Sequence, residues 1–242
     1  MNTKTAIVFG ATSGIGKMLT EFLVKDGYKV GITGRRLEKL ETLKKQYPTN
    51  IIFKQNDIQE VDDVEKIFNE LVSELGEVDV IIQSSGVGYT NTKLEWDKEN
   101  TTIQTNVVGV TKLYDLAYNL FKEQQFGHLV GISSIASLRG NRFAPAYFAS
   151  KAYQKAYLES LYIKTKSIKS KKVFITDIRP GYVDTDMALG DGIFWLTPLE
   201  KACKQIYTAI NRKKRVAYIS KRWMLIAWVL KIVPSKILKL AT

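Results

Sequence analysis

A glycine-rich turn near the start of the chain has the composition of a phosphate-binding site. The residues Gly10-Ala11-Thr12-Ser13-Gly14-Ile15-Gly16 follow a short apolar run at 6–9 and open a helical pattern. Glycine lets the backbone turn sharply and approach a pyrophosphate, and a helix N-terminus supplies free N–H groups and partial positive charge. Glycines alone are equally compatible with a tight turn that binds nothing. The strand before them and the helix after them favour a dinucleotide site.

Two arginines after the second apolar run indicate which dinucleotide is bound. A site for NAD needs a carboxylate there, to accept hydrogen bonds from the ribose 2′-OH. This chain has Gly34-Arg35-Arg36 instead, and a guanidinium can bind a 2′-phosphate bidentately. A solvated basic helix start is the alternative. The pattern predicts NADPH or NADP+, with Arg35 as the main contact, assisted by Arg36 or by Thr12 and Ser13.

The glycine spacing G-x-x-x-G-x-G resembles that of the short-chain dehydrogenase/reductase family. The resemblance implies that Asp57 and Ile58 contact the adenine. It also implies that Pro180-Gly181-Tyr182-Val183-Asp184-Thr185, which resembles the family's Pro-Gly-x-Val-x-Thr, meets the nicotinamide carboxamide. The cofactor-binding residues implied are Gly10, Thr12, Ser13, Gly14, Ile15, Gly16, Arg35, Arg36, Asp57, Ile58, Ser85, Gly86, Asn106, Tyr147, Lys151, Pro180, Gly181, Val183 and Thr185.

Two positions depart from the family pattern. Gln83-Ser84-Ser85-Gly86 stands where the family has Asn-Asn-Ala-Gly, and Phe9 stands where a threonine usually precedes the first glycine. Both positions lie at the ends of neighbouring strands, so a matched change is one explanation.

The family's reaction motif, Tyr-x-x-x-Lys, does not by itself identify a catalytic tyrosine here. It occurs at four tyrosines, namely Tyr89, Tyr118, Tyr147 and Tyr162. In the family a serine lies thirteen residues before the tyrosine, at the end of a neighbouring strand. Only Tyr147 has such a serine, Ser134, which follows the apolar run at 128–132. The resemblance therefore implies that Ser134, Tyr147 and Lys151 are catalytic.

Electrostatics explains what this trio can do. A free tyrosine has a pKa of about 10. Lys151 lies one helical turn after Tyr147 on the same side, and its charge, with that of an oxidised nicotinamide, favours the phenolate. Lowering the pKa by ~3 units requires about 4 kcal/mol. In the reductive direction Tyr147 donates a proton to a carbonyl oxygen, Ser134 stabilises that oxygen, and Lys151 also holds the nicotinamide ribose.

Asn106, in Thr105-Asn106-Val107-Val108-Gly109, is the fourth candidate. Its surroundings resemble the family helix whose asparagine holds a water linked to the lysine, and a satisfied core polar residue is the alternative. We expect Ser133 to point away from Ser134. We also expect His128, inside a strand, to be structural.

Alternating strands and helices must position these residues. Apolar runs predict strands at 6–9, 28–33, 51–54, 78–82, 128–132, 173–178 and 216–219. Helical periodicity predicts helices at 14–25, 37–46, 61–75, 102–122 and 147–167. Such alternation implies right-handed crossovers and a doubly wound, Rossmann-type α/β fold, with a parallel seven-stranded sheet and helices on both faces of a single domain. Ligands bind beyond the carboxyl ends of such strands, which is where the candidates lie.

Length and composition limit the alternatives. The chain of 242 residues has no linker-like stretch, so 1–220 is interpreted as one dinucleotide-binding and catalytic domain, followed by a basic apolar helical segment at 221–242. The single cysteine and single histidine exclude an internal disulfide and argue against a metal site. No secretory signal pattern precedes the first strand, so we expect a cytoplasmic protein.

The basic C-terminal region needs its own explanation. Residues 201–242 contain eleven Lys and Arg and no Asp or Glu, whereas the rest of the chain is close to neutral. The apolar run at 223–230 is too short to span a bilayer, which takes about 20 residues. Three interpretations remain. The region could complete the core and substrate pocket, or it could form an interface in a homo-oligomer (a dimer or tetramer). It could also lie peripherally on the anionic inner membrane surface. No nucleic-acid-binding motif accompanies the cations.

The rival function is a non-catalytic dinucleotide-binding or regulatory protein of the same fold. The intact set of Asn106, Ser134, Tyr147 and Lys151 favours an enzyme that interconverts a carbonyl and an alcohol, and the altered 83–86 segment favours the rival. Residues 187–197, with Phe194 and Trp195, are expected to form a mobile apolar lid, which indicates a hydrophobic or lipid-like substrate.

Overall fold

The computed structural model describes residues 3–187, 195–234, 236, 237 and 239. Its strands are β1 (Thr5–Phe9), β2 (Lys29–Gly34), β3 (Ile51–Gln55), β4 (Val80–Gln83), β5 (Phe126–Ile132), β6 (Lys172–Pro180) and β7 (Val216–Ile219). Its α-helices are α1 (Gly14–Lys25), α2 (Leu37–Gln46), α3 (Val61–Leu75), α4 (Trp96–Ile103), α5 (Val110–Gln124), α6 (Pro145–Lys164), α7 (Leu199–Asn211) and α8 (Lys221–Ile232).

The strands form one sheet in the order β3-β2-β1-β4-β5-β6-β7, and every neighbouring pair is parallel. Parallel neighbours require crossover connections, here helices, which cover both faces of the sheet. The predicted doubly wound seven-stranded fold is thus confirmed. The strand order reverses between β1 and β4, and this opens a crevice at the carboxyl edge of the sheet.

Alternate residues of β1 show how the two faces are buried. Ala6 and Val8 belong to one core, together with residues of α1, α2 and α7. Ile7 and Phe9 belong to the other, together with residues of α3, α5 and α6. Because side chains alternate along a strand, a sheet covered on both faces needs apolar residues at every position. Polar side chains are therefore concentrated where the strands end.

The helix predicted at 102–122 differs most from the observed structure. The helical path begins at Trp96 with α4, passes through a π-helical turn at Gln104–Gly109, and continues as α5. A π turn inserts an extra residue and is frequent at functional sites. Here it contains Asn106.

Three further boundaries differ from the sequence-based expectation. Strand β6 runs to Pro180, so Pro180 ends the strand instead of following it. The helix expected at 147–167 begins at Pro145, whose fixed φ suits a first helical turn, and ends at Lys164 before a 3-10 turn at Thr165–Ser167. Helix α7 was not predicted from the sequence. No helix among the described residues is long and apolar enough to cross a membrane.

Candidate active site

Two glycines of the glycine turn (residues 10–16) lie too close to neighbouring backbone to be replaced by a residue with a side chain. Gly10 has φ +84°, and a Cβ there would lie 2.6 Å from the backbone N of Ser85. A Cβ on Gly16 would lie 2.1 Å from the carbonyl oxygen of Gly10. The turn therefore passes directly beside the loop after β4, and α1 begins at the crevice. On its other side Thr185 lies opposite Gly14, where a Cβ would be 3.3 Å from the Thr185 Cγ2.

One guanidinium and two hydroxyls form a cluster at the end of β2. Arg36 Nη2 donates to Thr12 Oγ1 at 2.9 Å and to Ser13 Oγ at 2.7 Å. Arg35 points elsewhere, with Nη1 3.8 Å from Asp57 Oδ2 and more than half of its side chain exposed. The structure thus brings Arg36, not Arg35, together with Thr12 and Ser13.

Ser134 and Tyr147 meet across the carboxyl edge of the sheet. Ser134 follows β5 in extended conformation, and its Oγ accepts a hydrogen bond from the backbone N of Ala136 at 3.1 Å. The Tyr147 phenol lies close enough to Ser134 for the serine hydroxyl to lower its pKa. Lys151, one turn further along α6, has its Nζ 5.9 Å from the centre of the Tyr147 ring. These side chains form a cluster beside the loop after β4, where a Cβ on Gly86 would be 3.6 Å from Lys151 Nζ and one on Gly88 would be 2.8 Å from the Tyr147 ring.

Burial sets the protonation of this pair. Lys151 is 5% exposed, and the loss of hydration lowers its pKa to about 8, although the charge of Asp177 acts in the opposite direction. Burial raises the pKa of Tyr147, while the hydrogen bond from Ser134 and the neighbouring Tyr182 act in opposite directions. Before any ligand binds, the phenol is therefore neutral and the ammonium lies close to its titration point near neutral pH.

Asn106 is completely buried in the π-helical turn. Its Nδ2 donates to the carbonyl oxygen of Val87 at 2.7 Å and to Ser150 Oγ at 3.0 Å, and its Oδ1 accepts from the backbone N of Val87 at 2.9 Å. The side chain thus holds the loop after β4 against α6. Gly86, another residue of the implied cofactor site, is also close, since a Cβ there would lie 3.3 Å from Asn106 Oδ1.

Sequence reasoning missed Gln154. Its Oε1 accepts a hydrogen bond from Lys151 Nζ at 3.1 Å, and its Nε2 donates to the carbonyl oxygen of Asn106 at 2.8 Å. The available signal was a polar residue one turn after Lys151, on the side of the helix that faces the core. Lys151 Nζ also donates to the carbonyl oxygen of Ile132 at 3.0 Å.

The two departures from the family pattern are neighbours in space. Phe9 and Gln83 are partners in the β1–β4 register. Gln83 Nε2 donates to the carbonyl oxygen of Ser85 at 2.5 Å, and the backbone N of Ser84 donates to the carbonyl oxygen of Phe9 at 2.9 Å. Phe9 stacks on Phe68 in the core. The Gln83 side chain therefore stabilises the loop after β4, and the Ser84–Phe9 bond ties that loop to the end of β1, where the glycine turn begins.

Several other candidates lie away from the cluster. Ser133 Oγ donates to Asp177, on the far side from Tyr147. His128 Nε2 is 2.7 Å from Thr176 Oγ1, and burial lowers its pKa to about 3, so it is neutral. The Ile58 side chain lies in the core.

The remaining predicted cofactor residues, Gly181 and Val183, follow β6. A Cβ on Gly181 would collide with the Trp223 ring, and Val183 bridges to Thr197. Most of the expected lid, including Phe194, falls in 188–194, outside the described residues.

Comparison with known proteins identifies the family. The short chain dehydrogenase model matches residues 4–191. The chain belongs to the short-chain dehydrogenase family of oxidoreductases. An uncharacterized oxidoreductase of Myxococcus xanthus is 32% identical over 192 residues, which cover 77% of this chain and 75% of that protein. Carbonyl reductase family member 4 of Xenopus tropicalis is 29% identical over 202 residues, covering 81% and 84%.

Solved structures agree with the fold. The structure of ElxO with NADP bound superposes with a TM-score of 0.78 at 24% identity, covering 90% of this chain and 97% of that one. The closed form of serine dehydrogenase complexed with NADP+ superposes with a TM-score of 0.77 at 24% identity, covering 85% and 88%. At these identities the likeness concerns the fold.

Proposed function

We propose that this chain is an NADP(H)-dependent reductase that converts the carbonyl group of a hydrophobic substrate to an alcohol. One observation carries the proposal: the hydroxyls of Ser134 and Tyr147 meet at the edge of the crevice, with the Lys151 ammonium beside the Tyr147 ring. A module that only binds a dinucleotide has no need for two converging hydroxyls and a buried cation.

The residues around the crevice suit NADP(H). The glycine turn is tightly folded at the N-terminus of α1, whose free N–H groups suit the pyrophosphate. Arg36, Thr12 and Ser13 supply donors for a 2′-phosphate, with Arg35 at the margin. Asp57 would contact the adenine, and Val183 and Thr185 the nicotinamide. NADP+ and NADP are bound in the two structural relatives named above. The bound cofactor supplies hydride.

The chain's own groups handle the substrate oxygen and its proton. Ser134 Oγ and Tyr147 Oη converge, so both can donate to one carbonyl oxygen and orient its carbon. Tyr147 gives its proton to that oxygen as negative charge develops there. The resulting phenolate is stabilised by Lys151, whose ammonium is desolvated and hence exerts a stronger field than it would in water. Asn106 and Gln154 keep that ammonium in place.

The substrate is proposed to be apolar. Tyr182, Met187, Trp195 and Leu196, which flank the segment after β6, are each 39–46% exposed. Exposed aromatic and aliphatic side chains next to two polar hydroxyls are typical of a pocket for a hydrophobic carbonyl compound. The name of the Xenopus relative, a carbonyl reductase, agrees with this chemistry.

Turnover of NADPH tests the proposal. Its oxidation should be followed with a panel of ketones, aldehydes and acyl substrates, in wild type and in Tyr147→Phe. Removing the proton donor should lower kcat by about 10²- to 10⁴-fold, while NADPH binding, measured by fluorescence, persists. A Tyr147→Phe protein that keeps substantial activity would refute the mechanism. A wild type that binds NADPH but reduces nothing in the panel would favour the non-catalytic rival.

We further propose a homo-oligomer, a dimer or tetramer, that assembles through the outer face of α4 and α6. A groove of about 350 Å³ lies there, lined by Glu99, Ile103, Val107, Pro145, Ala146, Ala149 and Ser150. A partner seated on it would stiffen the two segments that present Asn106 and Tyr147. Light scattering after size exclusion tests this, and Ile103→Glu should give monomers. A monomeric wild type at micromolar concentration would contradict it.

A further inference from the structure

Helix α8 has one buried and one exposed apolar face. Trp223 and Ala227 are 3% and 2% exposed and point into the molecule. The opposite face carries large apolar side chains that are 51–69% exposed, namely Met224, Leu225, Trp228, Val229 and Ile232. Within the part of the chain that the structure describes, nothing covers them. Monomeric proteins seldom expose so many adjacent apolar side chains without a binding partner.

The exposed face is held rigidly next to the catalytic edge. The Trp223 ring makes edge contacts with Tyr182 and Trp195, at centroid distances of 5.5 and 6.2 Å. At the other end of α8, Arg139 Nε donates to the carbonyl oxygen of Leu230 at 2.5 Å. A side chain that binds the last carbonyls of a helix both satisfies and anchors that end. The orientation of α8 is therefore coupled to the segment after β6.

Charge indicates which partner fits this face. Lys221, Arg222 and Lys231 are exposed around the apolar residues, and 201–242 contain no acidic residue. A second copy docked face to face would bring like charges together. Exposed tryptophan and leucine with flanking cations instead complement an anionic lipid surface. At 12 residues, α8 is about 18 Å long, so it can lie in the bilayer interface but cannot span it.

We propose that the exposed face of α8 docks the protein on anionic lipid bilayers. The family model matches residues 4–191, so α8 lies outside the matched region. Docking would bring the Tyr182–Trp223–Trp195 contact, and with it the catalytic edge, close to the bilayer. This second step rests on the proposed reductase function: the carbonyl substrate would be a lipid taken from the membrane.

Vesicle sedimentation tests the docking without any turnover. The full chain is incubated with vesicles of phosphatidylcholine alone or with an equal part of phosphatidylglycerol. Wild type should bind the anionic vesicles, and less so as salt rises. Trp228→Glu should weaken that binding by about tenfold or more. Trp96→Glu is the matched control, since Trp96 and Trp228 are both 69% exposed, and it should bind like wild type. Melting curves verify that both variants fold.

Two outcomes would overturn the docking. One is a wild type that fails to bind anionic vesicles even at low salt. The other is a wild type that does not bind vesicles, together with a Trp228→Glu variant that no longer self-associates in light scattering. That result would assign the exposed face to contact with a second copy of the chain. A protein that binds vesicles but reduces no carbonyl compound would retain the docking and refute the proposed function.

Substrate delivery has a separate readout. NADPH oxidation is compared for a long-chain aldehyde carried in anionic vesicles and for a short water-soluble aldehyde. Trp228→Glu should slow only the reaction of the vesicle-borne aldehyde. Equal rates in wild type and variant for both aldehydes, or equal slowing of both, would refute delivery from the membrane.

Discussion

Gln154 links Lys151 to Asn106 through the two ends of one carboxamide. Its oxygen accepts from Lys151 Nζ at 3.1 Å, and its nitrogen donates to the carbonyl oxygen of Asn106 at 2.8 Å. The side chain is completely buried, so water cannot replace either bond. Because one end must donate and the other must accept, the amide has only one satisfactory orientation. Gln154 is therefore a positioning residue that holds the ammonium beside the Tyr147 ring.

Replacing Gln154 should impair turnover more than binding. Gln154→Leu removes the partner of the Asn106 carbonyl and leaves Lys151 with only its bond to the Ile132 carbonyl. At a cost of about 1–3 kcal/mol, kcat should fall roughly 10- to 100-fold. KM for NADPH should change little. In Gln154→Glu the added carboxylate favours the charged lysine, so the pH at which activity changes with Lys151 titration should move upward. An unchanged kcat in Gln154→Leu would show that the link is dispensable.

The two arginines after β2 should differ in their effect on cofactor use. Arg36 already lies between Thr12 and Ser13, whereas Arg35 is largely exposed. Loss of a charge-assisted bond worth about 1.5–3 kcal/mol should raise KM for NADPH about 10- to 100-fold in Arg36→Ala. KM for NADH should hardly change. Arg35→Ala is the matched control with a smaller effect, and the reverse ranking would restore the sequence-based expectation.

Lys151 should make stability depend on pH in the cofactor-free protein. Its folded pKa of about 8 lies below the ordinary 10.5, so between these values the unfolded chain binds the extra proton. The free energy of unfolding therefore rises with pH across that window. Below pH 8 the folded protein carries the full cost of burying the charged lysine. The free energy of unfolding, measured in urea, should rise by roughly 2–3 kcal/mol more between pH 8 and 10 in wild type than in Lys151→Met. Parallel profiles would contradict the depressed pKa.

A buried ion pair behind the catalytic cluster should be important for stability. Arg179 Nη2 lies 2.6 Å from Asp177 Oδ2, its Nε donates to the same oxygen, and its Nη1 donates to Tyr218. Arg179→Met leaves the buried Asp177 carboxylate without its ion-pair partner, so the free energy of unfolding should fall by about 3–5 kcal/mol. The double variant with Asp177→Leu should recover part of that loss. The exposed pair Lys204–Glu200 is the control, and Glu200→Gln should leave the melting temperature unchanged.

Much of the fold was predictable because it depends on local patterns. The seven strands were predicted within a few residues, since each is a short apolar run followed by turn residues. The glycine turn was also predicted from the sequence. The π-helical turn at Gln104–Gly109 was not, because an extra residue in a helical path leaves no mark on apolar periodicity. Helix α7 was not predicted either, although its buried residues Ala202, Cys203, Ile206, Ala209 and Ile210 have helical spacing.

The sequence by itself determined the order of the seven strands and of most helices, the family, and the candidates Ser134, Tyr147 and Lys151 through spacing and resemblance. These features are properties of neighbouring residues. Only the tertiary structure decided that Arg36 contacts Thr12 and Ser13, that Gln154 joins Lys151 to Asn106, and that Trp228 faces outward while Trp223 is buried. Each of these depends on where distant segments meet, since burial and hydrogen-bond partners are set by packing across the fold.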